Sequence, residues 1–239
     1  MRVSDKAIVL QSIKHGDRKF ILKLFTKQNG LITVVCAVGK SASSKIKFAS
    51  IQQLNLLQVE MIVKENKEVQ QLNEASCYFL YDKIPNSFHK LSIAQFLNEV
   101  LLKCLKEQHA NNYLFEFIET CLCYLNDNEN NFLNLHLYFL TELTKYLGFE
   151  PQNNFSDENQ YFDCREGSFT PYGIAMPLGL TKDESLLFSE FLKINSLKVR
   201  LTNAQRAALI DIFLNYYKLH IAGFNDLKSL LVLKELLID

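Results

Sequence analysis

The chain has 239 residues, of which 48% are hydrophobic and 22% are charged, so it can bury a core in one large or two modest domains. No uncharged apolar run reaches the roughly 18 residues of a membrane-spanning helix. Residues 1–80 hold 12 Lys and Arg against 6 Asp and Glu, whereas residues 81–239 hold 14 against 20. This split favours a basic part that binds a polyanion and an acidic part that binds proteins, although charge scattered over two solvated surfaces would give the same counts.

The front part of the chain has the short alternating runs of a β-domain. We predict five strands, at residues 6–13, 18–26, 31–38, 51–63 and 69–77. Asn29 and Gly30 predict a hairpin turn, because both residues tolerate positive φ. Five strands within residues 1–80, without a long helical pattern, indicate a small closed barrel of the OB-fold type, with an SH3-like barrel as the alternative.

Helical periodicity begins after Pro85 and predicts an α-helical domain over residues 81–239. The fold class is therefore α+β. Helices are predicted at residues 88–107, 112–125 and 131–147, after Thr181 and Thr202, and at 225–237. Gly148 is the expected stop of the third helix. Residues 149–179 lose the pattern and form an irregular insert, in which a short hairpin is predicted around Phe162 and Phe169.

Catalytic and metal-binding motifs are missing from the sequence. Gly39-Lys40-Ser41 resembles the end of a phosphate-binding loop, but the earlier glycine that such a loop needs is replaced by Val34. The six cysteines include no Cys-x-x-Cys pair, so we expect reduced thiols and no metal site. We predict no cofactor and no enzyme activity. The first residues do not have a signal-peptide pattern, and we expect a cytoplasmic protein.

Basic residues of the front part form the strongest functional pattern. Lys19, Lys23 and Lys27 share one face of the second strand with Ile21 and Phe25, a mixture that can meet phosphates and unstacked bases together. We predict that DNA or RNA is bound by the cations at the strand and in the following polar loop: Arg18, Lys19, Lys23, Lys27, Lys40, Lys45 and Lys47. The alternative is that Ile21 and Phe25 are buried under the helical domain and the lysines only keep a strand edge soluble.

Several separated runs resemble one family. Residues 7–10, Gly16-Asp17-Arg18, residues 24–26 and Val38-Gly39-Lys40 are similar to the start of the bacterial recombination mediator family RecO. The run Tyr146-Leu147-Gly148-Phe149-Glu150-Pro151 resembles the helix end before the central insert of that family. Residues 216–230 resemble its C-terminal signature. The order and spacing of these runs carry the resemblance over nearly the whole chain.

The resemblance implies a DNA repair and recombination mediator that is not an enzyme. It implies binding to single- and double-stranded DNA, annealing of complementary strands, and help to RecR in loading RecA onto DNA coated by single-strand-binding protein. It also implies binding of the acidic tail of that protein by the helical domain, for which Lys198, Arg200 and Arg206 are cationic candidates, unless they only form a solvated helix face. The expected location is the bacterial cytoplasm, at the nucleoid during repair.

The insert departs from many members of the family, which hold zinc there with four cysteines. This chain has only Cys164 in the insert, so we expect packing of Phe155, Tyr161, Phe162 and Phe169 to replace the metal. A different class of function, a protein-interaction adaptor whose barrel docks peptides without nucleic acid, stays open on the residues alone. A hydrolase with an unrecognised acidic site is a third class.

Overall fold

A computed structural model describes residues 1–41, 43–106, 109–194 and 197–236. The chain forms two compact units. One contains residues 1–87 and 100–127, and the other contains residues 88–99 and 128–239. The proposed domain boundary after residue 80 stays a prediction.

The first unit is built on a closed barrel of five strands. Their bounds are β1 Arg2–Lys14, β2 Lys19–Thr26, β3 Gly30–Ala37, β4 Leu56–Ile62 and β5 Val69–Phe79. The order around the barrel is β1-β2-β3-β5-β4, all pairs being antiparallel except β3 with β5. The predicted OB-fold is confirmed.

Alternation along the strands fills the barrel with apolar side chains. Phe20, Leu22 and Leu24 of β2 point inwards, as their spacing predicts, and the residues between them point out. The loop after β3 also contributes to this core, because Ile46 is buried in it although both neighbouring residues are exposed. This buried anchor attaches the predicted polar loop to the barrel.

The turn between β2 and β3 differs from the prediction. The hairpin exists, but Thr26 pairs with Gly30, and Gly30 has a φ of 68° while Asn29 does not adopt positive φ. The buried carboxylate of Asp5 organises the turn by accepting hydrogen bonds from the Gln28 backbone amide at 3.0 Å and the Asn29 side chain at 2.8 Å. A distant side chain therefore determines the turn geometry.

The predicted fourth strand begins too early. Residues 48–51 instead form a 3-10 turn, Phe48–Ile51, and β4 starts at Leu56. Ile51, the last residue of this turn, is fully buried in the barrel core, while Phe48 remains exposed. The apolar residue at the predicted strand start therefore anchors a turn and does not belong to the strand.

One helix, α2 at Asn112–Asp127, belongs to the same unit as the barrel. Phe115 of this helix is fully buried and packs on Phe25 of β2, with ring centroids 6.0 Å apart. Lys6 of β1 and Tyr78 of β5 both contact the Glu119 carboxylate, at 3.1 Å and 2.5 Å. The helix thus covers part of the outer barrel surface.

The remaining helices agree with the predicted pattern but differ at their ends. Their bounds are α1 Phe88–Cys104, α3 Leu135–Leu147, α4 Lys182–Ile194, α5 Asn203–His220 and α6 Ser229–Glu235. The third predicted helix starts four residues later than expected, and the last one starts at Ser229 rather than residue 225. The first helix ends earlier than predicted, at Cys104, and residues 105 and 106 are not helical; the predicted ends at residues 107 and 237 themselves lie outside the described residues. Within these residues no helix is both long enough and apolar enough to cross a membrane.

Three predicted helix boundaries are confirmed by their hydrogen bonds. Thr202 and Gln205 form a reciprocal capping box at the start of α5, and Thr181 and Glu184 form the corresponding pair before α4. Gly148 ends α3 with a φ of 81°, a left-handed conformation that favours glycine.

The insert contains the predicted hairpin, formed by β6 Tyr161–Asp163 and β7 Ser168–Thr170. The Phe162 ring lies 4.9 Å from Phe169 and 4.9 Å from Phe188 of α4, and Phe155 lies 5.4 Å from Phe169. Aromatic contacts therefore connect the hairpin to the helices of its unit. Burial raises the pKa of the Cys164 thiol to about 12, which keeps it protonated.

Candidate nucleic-acid interface

The outer surface of β2 and β3 combines cations with apolar groups. We call Lys19, Ile21, Lys23, Thr33, Val35 and Ala37 the β2–β3 face. Ile21 pairs with Ile13 on one side and with Val35 on the other, which makes an apolar row across three strands. Lys19 and Lys23 are exposed on either side of this row. The same surface can therefore contact phosphates through its lysines and bases through its apolar side chains.

More cations surround the barrel end where β2 begins and β3 ends. Arg18 lies in the β1–β2 turn and its carbonyl accepts a hydrogen bond from the Val38 amide, which brings the Lys40 segment next to it. Five predicted contact residues are exposed and make no ion pair with any described residue: Arg18, Lys19, Lys23, Lys40 and Lys47. The structure therefore groups these five on the β2–β3 face and at the adjoining barrel end.

Lys27 and Phe25 have different surroundings from those predicted. Phe25 lies on the outer side of the strand, but α2 covers it and only 2% of it is exposed. Burial of its phenyl ring lowers the free energy more than contact with water would. The Lys27 ammonium donates to Glu116 at 2.7 Å, and this hydrogen bond raises the pKa of Lys27. The mixed face of cations and apolar groups consequently ends at Lys23.

Lys45 is also paired, but within the barrel. Its ammonium donates to the Glu74 carboxylate of β5, and the Arg2 guanidinium lies 3.8 Å from the same carboxylate while bonding Glu60. The hydrogen bond from Lys45 lowers the pKa of Glu74, which stays ionised. Glu74 thus competes with any phosphate for two cations, of which sequence reasoning included only Lys45.

Phe48 is a surface residue that the sequence reasoning missed. Its side chain is 57% exposed and rests on Phe20, with ring centroids 5.7 Å apart. A cleft of about 580 Å³ opens on the barrel where the chain flanks Phe48: Lys47 and Ser50 belong to its lining, whereas the Phe48 ring does not. The signal that could have found Phe48 is a lone aromatic residue directly after Lys47 in an otherwise polar segment.

The three candidate cations of the helical unit are not equivalent. Lys198 and Arg200 are exposed, whereas Arg206 is half-buried and donates to Asn134 at 2.8 Å and to Asn203 at 2.8 Å. Burial lowers the pKa of Arg206. Its two hydrogen bonds connect the starts of α3 and α5, so Arg206 has a structural task in the described fold.

Metal-ligating side chains do not cluster in the described ranges, which contain no group of three or more His, Cys, Asp or Glu arranged to hold an ion. The thiols among these residues are unlinked, and burial raises the pKa of Cys36 to about 11 and that of Cys104 to about 12. Protonated buried thiols are poor nucleophiles and poor metal ligands.

Comparison with known proteins identifies two matching family patterns. Residues 1–81 match the pattern described as Recombination protein O N terminal, and residues 85–231 match Recombination protein O C terminal. The chain is 34% identical to the DNA repair protein RecO of Flavobacterium psychrophilum over 239 residues, covering 98% of this chain and 99% of that protein. It is 33% identical to the protein of the same name from Flavobacterium johnsoniae, over 99% of both chains, and 29% identical to that of Bacteroides fragilis strain YCH46, over 96% of both.

Proposed function

Given that the chain belongs to the RecO family of DNA repair proteins, we propose that it binds DNA through its barrel and anneals complementary strands. One observation carries this proposal: Lys19 and Lys23 flank the apolar row of the β2–β3 face and, like Arg18, Lys40 and Lys47 at the adjoining barrel end, form no ion pair with a described residue. Cations attract the phosphate chain, and exposed apolar groups can contact bases that are not paired.

Annealing has a simple physical basis in this proposal. Two DNA strands repel each other through their phosphates, and a protein that neutralises part of that charge lowers the repulsion. Since a contact of this kind does not read base edges, we expect binding that tolerates any sequence and weakens with salt. No chemical step is assigned to the chain.

We further propose that the protein helps RecR to load RecA onto DNA coated by single-strand-binding protein, in the cytoplasm. The family resemblance supports this part of the proposal. Lys198 and Arg200 are the exposed candidates for the acidic tail of single-strand-binding protein. Arg206 would have to give up its bonds to Asn134 and Asn203 to take part.

The proposed function is tested by titrating single-stranded DNA at several salt concentrations. We expect the double variant Lys19→Ala/Lys23→Ala to bind more weakly and to reduce the slope of log affinity against log salt by up to about 1.4, at about 0.7 per lost contact on a single strand. The matched control is Lys182→Ala, which removes an exposed cation from α4.

Strand annealing with and without single-strand-binding protein completes the test. The wild type should accelerate annealing, and the double variant should lose most of that gain. Absence of DNA binding by the wild type at low salt would refute the proposal and favour a peptide-docking adaptor. An unchanged slope in the double variant would remove the β2–β3 face from the site.

A further inference from the structure

Phe48 is held in an exposed position by a rigid support. Phe48 is the first residue of the 3-10 turn Phe48–Ile51. The last residue of this turn, Ile51, is fully buried in the barrel core. The Phe48 carbonyl accepts a hydrogen bond from the Gln52 side chain at 2.9 Å, and the Ser50 amide donates to Lys47 at 3.1 Å. The backbone that carries the ring is therefore fixed before any ligand arrives.

The ring rests on a second aromatic ring. Phe20 lies behind Phe48 at 5.7 Å and is itself 8% exposed, so it acts as a wall of the barrel interior. The rest of Phe48 faces solvent, with 57% of the side chain exposed. An exposed aromatic surface on a rigid base can stack with another flat group at little entropic cost.

Cations precede both of these rings in the chain. Lys47 precedes Phe48 in the chain, and Phe20 follows Arg18 and Lys19 at the start of β2. The cleft of about 580 Å³ next to the turn adds the hydroxyl groups of Ser43, Ser44 and Ser50 to Lys45 and Lys47. Positive charge and hydrogen-bond donors are therefore carried by residues on both sides of Phe48 in the chain, Lys47 and Ser50 among them.

These features suit a nucleotide that is not paired. We propose that Phe48 is a stacking platform for an unpaired base, and that Lys47, its neighbour in the chain, attracts the phosphates of the same strand. In a duplex each base is stacked on both faces, so Phe48 contacts a base only where the strand is single. The inference rests on the proposed function and adds that this site distinguishes single-stranded from double-stranded DNA.

The chain has no tryptophan, which makes a direct optical test available. The variant Phe48→Trp places a single indole on the proposed platform, and we expect its fluorescence to be quenched by single-stranded DNA and much less by a duplex of the same length. The matched control is Tyr172→Trp, at a residue that is 83% exposed in the helical unit, where no quenching is expected.

Affinity measurements give the second readout. Phe48→Ala should weaken binding of single-stranded DNA by about 5- to 150-fold, the range found for stacked bases, and leave the salt slope unchanged because no phosphate contact is lost. Phe48→Leu keeps an apolar contact with Phe20 but has no ring, so we expect the same loss of affinity. Because this variant preserves the packing on Phe20, its loss would be due to the missing ring and not to a folding defect. Duplex binding should change little in both variants.

The outcomes separate the two proposals. Salt-dependent DNA binding that is unaffected by Phe48→Ala, without quenching of Phe48→Trp, would overturn the stacking site and leave the proposed function standing. Equal quenching by single and double strands, or equal quenching in the Tyr172→Trp control, would also overturn it. If the wild type binds no DNA, the proposed function and this inference both fail.

Discussion

Glu74 is a carboxylate that takes up positive charge on the barrel proposed to bind DNA. It pairs with Lys45 and lies 3.8 Å from Arg2, and all three side chains are partly open to solvent. Pairs of this kind are weak, contributing about 0–1 kcal/mol, so an incoming phosphate can displace the carboxylate. Lys45 thus differs from the five unpaired cations in having to exchange partners first.

We expect Glu74→Gln to raise the affinity for single-stranded DNA by about 1.5- to 5-fold, because Lys45 is released from its partner, whereas Arg2 keeps its bond to Glu60. The salt slope should become steeper by up to about 0.7 for each new phosphate contact. The control is Glu60→Gln, which removes the same charge from the same surface but leaves the pair of Lys45 and Glu74 intact. Glu60→Gln releases Arg2 instead, so equal gains in both variants would show that the release of Lys45 is not the specific cause.

At the scale of elements, α2 is the helix that completes the surface of the barrel unit. Phe115 is buried on Phe25, whereas the contacts of Glu116 with Lys27 lie at the solvent edge. Apolar burial should therefore dominate the stability that the helix contributes, and the ion pair should matter little.

We expect Phe115→Ala to lower the free energy of unfolding by about 3–5 kcal/mol, since it removes a fully buried ring and leaves a cavity. Tyr113→Ala is the matched control on the same helix, at a side chain that is 77% exposed, and should change the free energy by less than about 0.5 kcal/mol. Urea unfolding followed by circular dichroism measures both. A small effect of Phe115→Ala would mean that α2 contributes little to the barrel unit.

Local sequence signals predicted the elements well, because the interactions behind them are local. Thr202 and Gln205 cap α5 across three residues, and Gly148 ends α3 through its own backbone freedom. Contacts between distant residues were not predictable in this way. Asp5 shapes the turn at Gln28 from 23 residues away, and burial of Phe25 depends on Phe115, far along the chain.

The same distinction applies to the candidate site. Strand periodicity was sufficient to place Lys19 and Lys23 on one outer face. The partners of Lys27 and Lys45 could not be predicted, because Glu116 and Glu74 approach them only after the chain has folded. Phe48 was missed because its exposure results from the burial of Ile51 three residues later.

At the scale of the whole molecule, neutrality hides opposite charges in the two parts of the sequence. The basic excess of residues 1–80 equals the acidic excess of residues 81–239. The response of such a protein to pH also depends on buried groups that a charge count does not show. His136 of α3 is fully buried beside Phe96, and neither ring nitrogen is within hydrogen-bonding geometry of a partner among the described residues.

Burial lowers the pKa of His136 to about 3 from an ordinary value of 6.5, with the charge of Arg206 acting in the same direction. Between these two pH values the unfolded chain binds a proton that the folded chain does not, so the fold loses stability as the pH falls from 6.5 towards 3. We expect His136→Leu to reduce this loss, by about 2–3 kcal/mol at pH 4.5 relative to pH 7.5. Urea unfolding at both pH values measures it.

The control for this prediction is His89→Gln, which replaces an exposed histidine and should keep the pH dependence of the wild type. Carboxylates that titrate in the same range contribute equally to all three proteins, so the comparison isolates the buried imidazole. A pH dependence of His136→Leu identical to that of the wild type would show that His136 is protonated without cost in the folded state.

The parallel pairing of Thr33–Val35 with Val69–Gln71 closes the barrel described above. A closed barrel has no edge strand like that of an open sheet, to which a neighbouring chain could add its own. If the protein binds DNA as proposed, copies crowded side by side along one strand would be kept from joining through their barrels.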